Sequence, residues 1–357
     1  MADQDQQTRA FLMARLQRRP HMQVQDVFKA LYQSVFGCEH MLAEESVLTE
    51  RIRLEAAQGV PGPSAAEPLD GPYSRVHLSA LQEGLAPQTL ARLFMLSAKH
   101  TENAETALTQ KLNVFLSCAA EGVLPFDEAA VRNAVQAWRA EGFPALHHSD
   151  AFHRHYAPAY RVVLSAYAHY LPLYALIDRL MAAGQRPVIA IDGGCSAGKT
   201  TLAAQLQTVY GCNVFHMDDF FLRPEQRTPE RYQEPGGNVD RERFLKDVLL
   251  PVKTGKPFSF RRFDCGAMRL APPQAVRPHP LSVVEGVYSL HPALRGHYDA
   301  TVFLTIGPDL QARRILEREG AQRAPVFMQK WVPLENAYFL ACSPQAHSDL
   351  VFEPFAG

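Results

Sequence analysis

The chain has 357 residues, 47% apolar and 20% charged, with a formal net charge of −1. That length suits two domains, or one domain with a large extension, in an ordinary globular protein. The charge balance supplies no general field for nucleic acid or an anionic membrane, and no apolar run reaches the length of a membrane span.

The N-terminus, Met1-Ala2-Asp3-Gln4-Asp5-Gln6-Gln7, is polar and carries no signal core. Cys38, Cys118, Cys195, Cys212, Cys265 and Cys342 are scattered, with no CxxC pair, which predicts free thiols in a reducing cytosol. A cytoplasmic protein is expected, with neither nucleic acid nor membrane as partner; a homo-oligomer stays open. Residues 22–43 carry Val24, Val27, Phe28, Leu31, Tyr32, Val35 and Phe36 at helical spacing. Residues 59–74 are rich in Gly and Pro and read as a loop. Further helices are predicted around Leu90–Ala98, Leu108–Leu116 and Val131–Trp138, then a long apolar helix from Arg161 to Met181 that Pro172 kinks or divides. No strand alternation is visible before residue 186. Residues 1–183 therefore read as a mostly α-helical domain of unknown role.

This half is rich in histidine: His21, His40, His77, His100 and His169, with His147, His148, His153 and His155 in one short stretch. A metal site is one reading of that stretch. The spacing fits no standard zinc pattern and no cysteine is near, so a polar surface or interdomain loop is the plainer one. Contact with a substrate through these histidines and Arg154 or Arg161 is a third.

The run Pro187-Val188-Ile189-Ala190-Ile191 predicts a buried strand, and Thr201-Leu202-Ala203-Ala204-Gln205-Leu206 the opening of a helix. Between them Gly193, Gly194, Cys195, Ser196, Ala197, Gly198, Lys199 and Thr200 fit G-x-x-x-x-G-K-[ST], and Thr201 follows. Glycines let successive N–H groups turn toward phosphate oxygens, and a helix N-terminus adds its positive dipole end. Lys199 is expected at the β- and γ-phosphates and the Thr200 hydroxyl on Mg²⁺. From Arg186 onward strands and helices alternate as in a parallel α/β sheet, with further strands at 213–217, 281–287, 301–306 and 349–352. Residues 184–357 thus read as an α/β P-loop NTPase core with a parallel five-stranded sheet.

Acids at the carboxyl ends of parallel strands face the ligand crevice. Asp218 and Asp219 end the second strand, where one could accept the proton of an attacking hydroxyl or help hold Mg²⁺; a helix cap is the alternative. Glu285 ends the third, where it could orient Mg²⁺ through water or serve in a salt bridge. Arg313, Arg314, Arg318 and Arg323 form a basic helix, interleaved with Glu317 and Glu319, that could neutralise phosphate charge or lie as a solvated face.

With these pieces in order, residues 187–353 resemble the uridine kinase and phosphoribulokinase family of P-loop kinases. The matching elements are GGCSAGKTT, the acid of MDDFF, Gly236-Gly237-Asn238-Val239-Asp240 with Phe244, Arg262-Phe263-Asp264, VVEGVYSL and ARRILEREG. The resemblance implies ATP and Mg²⁺ as cofactors and Asp218 as the acid that activates an acceptor hydroxyl. It implies Asp240, Phe263 and Asp264 at the acceptor, and Arg313, Arg314 and Arg318 in a mobile lid. The acceptor elements depart from it: the stretch after Asn238 is one residue shorter and lacks His-Pro, and Cys265-Gly266-Ala267-Met268-Arg269 replaces the usual His-Ser-Arg. The expected activity is transfer of a γ-phosphate to a hydroxyl of a small molecule, with a nucleoside or other sugar-containing compound as acceptor. The alternative is a nucleotide-dependent regulatory or binding ATPase whose helical half binds a partner.

Overall fold

The computed structural model describes residues 2–38, 43–60, 66–98 and 103–355. His40 and His100 lie outside them. The chain divides into two compact units between Ala175 and Leu176.

In the first unit the helices are α1 (Ala2–Arg18), α2 (Val24–Phe36), α3 (Glu45–Ala57), α4 (Pro87–Ser97), α5 (Ala104–Ala120), α6 (Glu128–Ala140) and α7 (Asp150–Tyr156). Their apolar positions recur every three to four residues, so α1, α2, α5 and α6 each turn one stripe inward. Leu12, Phe28, Leu31, Leu112, Phe115, Val131 and Trp138 share one core, in which Phe28 stacks on Trp138. Helices α1, α3 and α7 have no counterpart in the sequence expectations, α7 falling in the histidine-rich stretch read as a loop; α1 has a weak apolar stripe among Asp, Gln and Arg.

The first half is mostly helical, as expected, and also holds a three-stranded antiparallel sheet where no strand was expected: β1 (Ala66–Pro68), β2 (Tyr73–His77) and β3 (Tyr160–Leu164), with β2 in the middle. The loop expected at 59–74 therefore holds β1 and the start of β2, although its residues 61–65 lie outside the description. The helix expected over Arg161–Met181 is also corrected. Its first residues are β3, and the helix proper is α8 (Leu171–Ala182) after a short turn. Pro172 sits in the first turn of α8, where a missing N–H costs little. These strands leave no periodic signature because four consecutive residues of β2 are buried, so no apolar–polar alternation is written there.

In the second unit β4 (Val188–Gly193) is the central strand, followed by the loop and α9 (Lys199–Tyr210). On one side of β4 lie β6 (Ser282–Glu285) and then β5 (Asn213–His216); on the other lie β7 (Ala300–Leu304) and then β8 (Leu350–Phe352). Every pairing is parallel. The expected five-stranded parallel sheet is present. All six residues of β4 are buried, as a strand covered on both faces requires. Register aligns Glu285 with both Ile191 and His216, so the ends of β4, β6 and β5 share one edge. The order reverses at β4, the place where open α/β sheets form their ligand crevice. After β7, helix α10 (Pro308–Val326) breaks at Gly320, whose φ is 74°, and a further turn leads into α11 (Val332–Cys342).

Candidate active site

The loop after β4 is built by backbone conformations that its glycines permit. Gly193 has φ 142° and a Cβ there would stand 2.2 Å from the Leu304 carbonyl oxygen. Gly198 has φ 102° and Ser196 φ 61°, so the chain coils tightly before α9 begins. Gly193, Gly194, Cys195 and Ala197 are buried, while Thr200 and Thr201 are exposed in the first turn of α9. The Lys199 ammonium lies across the loop and donates to the carbonyls of Gly193 and Gly194 at 2.8 and 2.9 Å.

Four side chains converge beside it: Thr200 from α9, His216 at the end of β5, Asp218 in the turn after it and Glu285 at the end of β6. The Thr200 hydroxyl donates to Glu285 Oε1 at 3.2 Å, and His216 Nδ1 meets the same oxygen at 2.5 Å. That hydrogen bond raises the His216 pKa against the opposing effect of burial. Asp218 is solvent-exposed but hemmed in by protein, and this crowding raises its pKa. Glu285 adds to the rise, whereas the positive charges of Lys199, His216 and Arg318 oppose it. Asp219 is raised by burial as well, but its principal charge partner is Arg262, at 3.9 Å. The strand expected to run to Met217 ends at His216, and both acids sit in a 3₁₀ turn, Met217–Phe220.

The arginine helix splits by face. Arg314 donates to the Ser196 carbonyl at 3.4 Å and the Arg318 guanidinium lies 3.1 Å from Cys195 Sγ, so both reach the loop. Arg313 is exposed and Arg323 pairs with Glu319. The carboxylates expected at the acceptor are engaged by the protein itself. Asp240 is buried, caps the turn at Arg243 N and pairs with the Arg243 guanidinium at 3.2 Å. Asp264 accepts from the N–H groups of Gly266 and Ala267 and so closes a turn. Phe263 is buried, with the Arg227 guanidinium 5.5 Å from its ring centre.

Several residues at the loop were not singled out from the sequence. Asp192, fully buried, accepts from Gly193 N, Leu290 N and the Tyr338 hydroxyl, and burial raises its pKa to about 6. Glu335 on α11 accepts the Cys195 N–H at 2.8 Å, and burial raises it to about 7. Gln311 donates to the Cys195 carbonyl. Asp192 could have been found from its place next to the first loop glycine. Glu335 and Gln311 carry no local signal, because only the fold of α10 and α11 brings them to Cys195.

Thr200 and Glu285 offer a hydroxyl and a carboxylate at one point of the crevice, oxygen donors of the kind Mg²⁺ takes. No family model matches the chain. Among solved structures, a possible uridine kinase from Bacillus stearothermophilus is 22% identical, with 50% of this chain and 98% of that one covered and a TM-score of 0.38. A structure named for a fructose transport system kinase from Silicibacter sp. TM1040 is 20% identical, with the same coverage of both chains and a TM-score of 0.38.

Proposed function

We propose that this protein is a phosphotransferase that moves the γ-phosphate of ATP to a hydroxyl of a small molecule. The observation that carries the reading is the phosphate loop, set beside Thr200, Glu285, His216 and Asp218 on one sheet edge. The loop N–H groups and the N-terminus of α9 would hold phosphate oxygens, and Lys199 would exchange its two carbonyl partners for them. Thr200 and Glu285 would hold Mg²⁺, which supplies charge neutralisation on the phosphates. Asp218 would take the proton of the acceptor hydroxyl, a role its raised pKa suits. Arg314 and Arg318, already against the loop, would stabilise charge as the phosphoryl group moves.

The acceptor class is a nucleoside or another sugar-containing compound, and uridine is the first to try. A coupled assay for ADP across nucleosides and sugars tests this. Acceptor-dependent turnover is expected; slow hydrolysis that responds only to a protein would favour a nucleotide-driven switch instead. Lys199→Ala should weaken Mg²⁺-ATP binding strongly while the fold persists, as read by calorimetric titration and circular dichroism. Unchanged affinity in that variant would overturn the nucleotide assignment.

A further inference from the structure

A cavity of about 160 Å³ opens within the first unit, lined by Lys29, Gln33, His148, His153, Tyr160 and Arg161 among others. Its walls come from α2, β3 and the histidine-rich segment.

The polar side chains there are arranged in a chain. Asp26 accepts from His148 Nδ1 at 2.8 Å and from the Ser149 N–H and hydroxyl. Burial pushes Asp26 up, but these bonds outweigh it and hold it at about 2, so it is ionised. His148 is pushed down to about 3 by burial and is neutral, with its proton on Nδ1. Its Nε2 therefore accepts the Tyr160 hydroxyl at 2.7 Å. Arg75 lies 4.5 Å over the Tyr160 ring and donates twice to Gln33 Oε1, which fixes the Gln33 NH₂ as a donor on its other side.

This region carries more positive than negative charge. Arg75 is buried with a neutral amide as its hydrogen-bond partner, a costly arrangement for packing alone. Lys29 is pushed down to about 8 by burial and by Arg75, and Arg15 to about 9 by burial and by Arg75. Among the described residues, Arg15, Arg19, Arg75 and Lys29 act on one another through this network, and Glu67 and Asp26 are the carboxylates that offset them. Arg161 is already matched by Glu55 through two bonds of 2.9 Å. Arg15 and Arg19 both bond Glu67, whereas Lys29 and Arg75 bond neutral groups, the Leu146 carbonyl and Gln33, and these two cations suit a doubly charged anion.

We propose that this cavity binds the phosphate of a small phosphate monoester, with Lys29, the Gln33 amide and His153 as donors and the buried arginines as counter-charge. A monoester dianion carries close to two charges near neutral pH and accepts several hydrogen bonds. The site is lined by residues of the first unit.

The test uses the full-length Lys199→Ala protein, so that the loop is weakened, with ribose 5-phosphate, inorganic phosphate and succinate as probes. Calorimetry should show ribose 5-phosphate binding, and hydrogen exchange should slow in residues 24–36 and 147–162. Lys29→Met should weaken binding ~10–100-fold, as loss of a charged hydrogen-bond partner does. The exposed His153→Ala variant, whose fold is at little risk, should weaken it too. Protection confined to residues 193–200, or full affinity in both variants, would overturn the proposal. Equal binding of inorganic phosphate would reassign the site to free phosphate. Equal binding of succinate would show that charge alone, not phosphate, is recognised.

Discussion

Asp218 and Asp219 are neighbours that face different charges: Asp218 the Lys199 and Glu285 side of the crevice, Asp219 the Arg262 side. An alcohol is a poor nucleophile near neutral pH, so losing a positioned base should slow transfer by ~10²–10⁴-fold. Asp218→Asn is expected to lose that much acceptor-dependent turnover and keep its ATP affinity, while Asp219→Asn changes little. The reverse pattern in steady-state kinetics would move the base by one residue. A second residue-scale expectation concerns pH. His148 has its pKa lowered on folding, from 6.5 to about 3, so below pH ~6.5 the unfolded chain takes up a proton the folded chain refuses. That stability is fully present above pH ~6.5 and is lost as pH falls toward about 3, a total on the order of 5 kcal/mol. Asp26, lowered from 3.8 to about 2, adds a loss below pH ~3.8. Urea titrations between pH 7 and 4 should show this decline. In His148→Gln, less stable at pH 7, the decline should be shallower; an equal slope would remove His148 as its source.

At the scale of elements, the phosphate loop depends on what surrounds each glycine as much as on its backbone freedom. Gly193 packs against β7, where a Cβ would meet the Leu304 carbonyl, whereas a Cβ on Gly198 meets nothing within 4 Å. Gly198→Ala therefore carries backbone strain alone, on the order of 1–2 kcal/mol. Gly193→Ala must also push β4 from β7. It should lower the melting temperature more than Gly198→Ala and reduce nucleotide affinity at least tenfold, as read by calorimetry and titration. Equal melting temperatures would contradict the contact. The loop itself was legible because its glycines, lysine and threonine are contiguous and the flanking strand is a continuous apolar run. Strands β1 to β3 were not, because buried Ser74 and Arg75 interrupt the apolar pattern of β2, and their partners Ser165 and Gln33 lie far along the chain.

At the scale of the whole molecule, each unit encloses its own apolar core. Calorimetric melting should therefore show two transitions. A non-hydrolysable ATP analogue with Mg²⁺ at 100 times its Kd should stabilise one of them by about 2.7 kcal/mol. A single transition that moves as a whole would argue against two units that melt separately. Among the described residues no helix is long and apolar enough to cross a membrane. The amino-acid sequence by itself determined the parallel sheet, the glycine-rich loop and Glu285 at a strand end, because each is a contiguous pattern with a local physical cause. Only the tertiary structure decided the rest. It joined Glu335 and Gln311 to Cys195 across more than a hundred residues, gave Asp240 and Asp264 bonds in a cap and a turn, and built the Asp26–His148–Tyr160 chain. A side chain's neighbours in space, rather than its residue type, settle whether it is a tool or a brace.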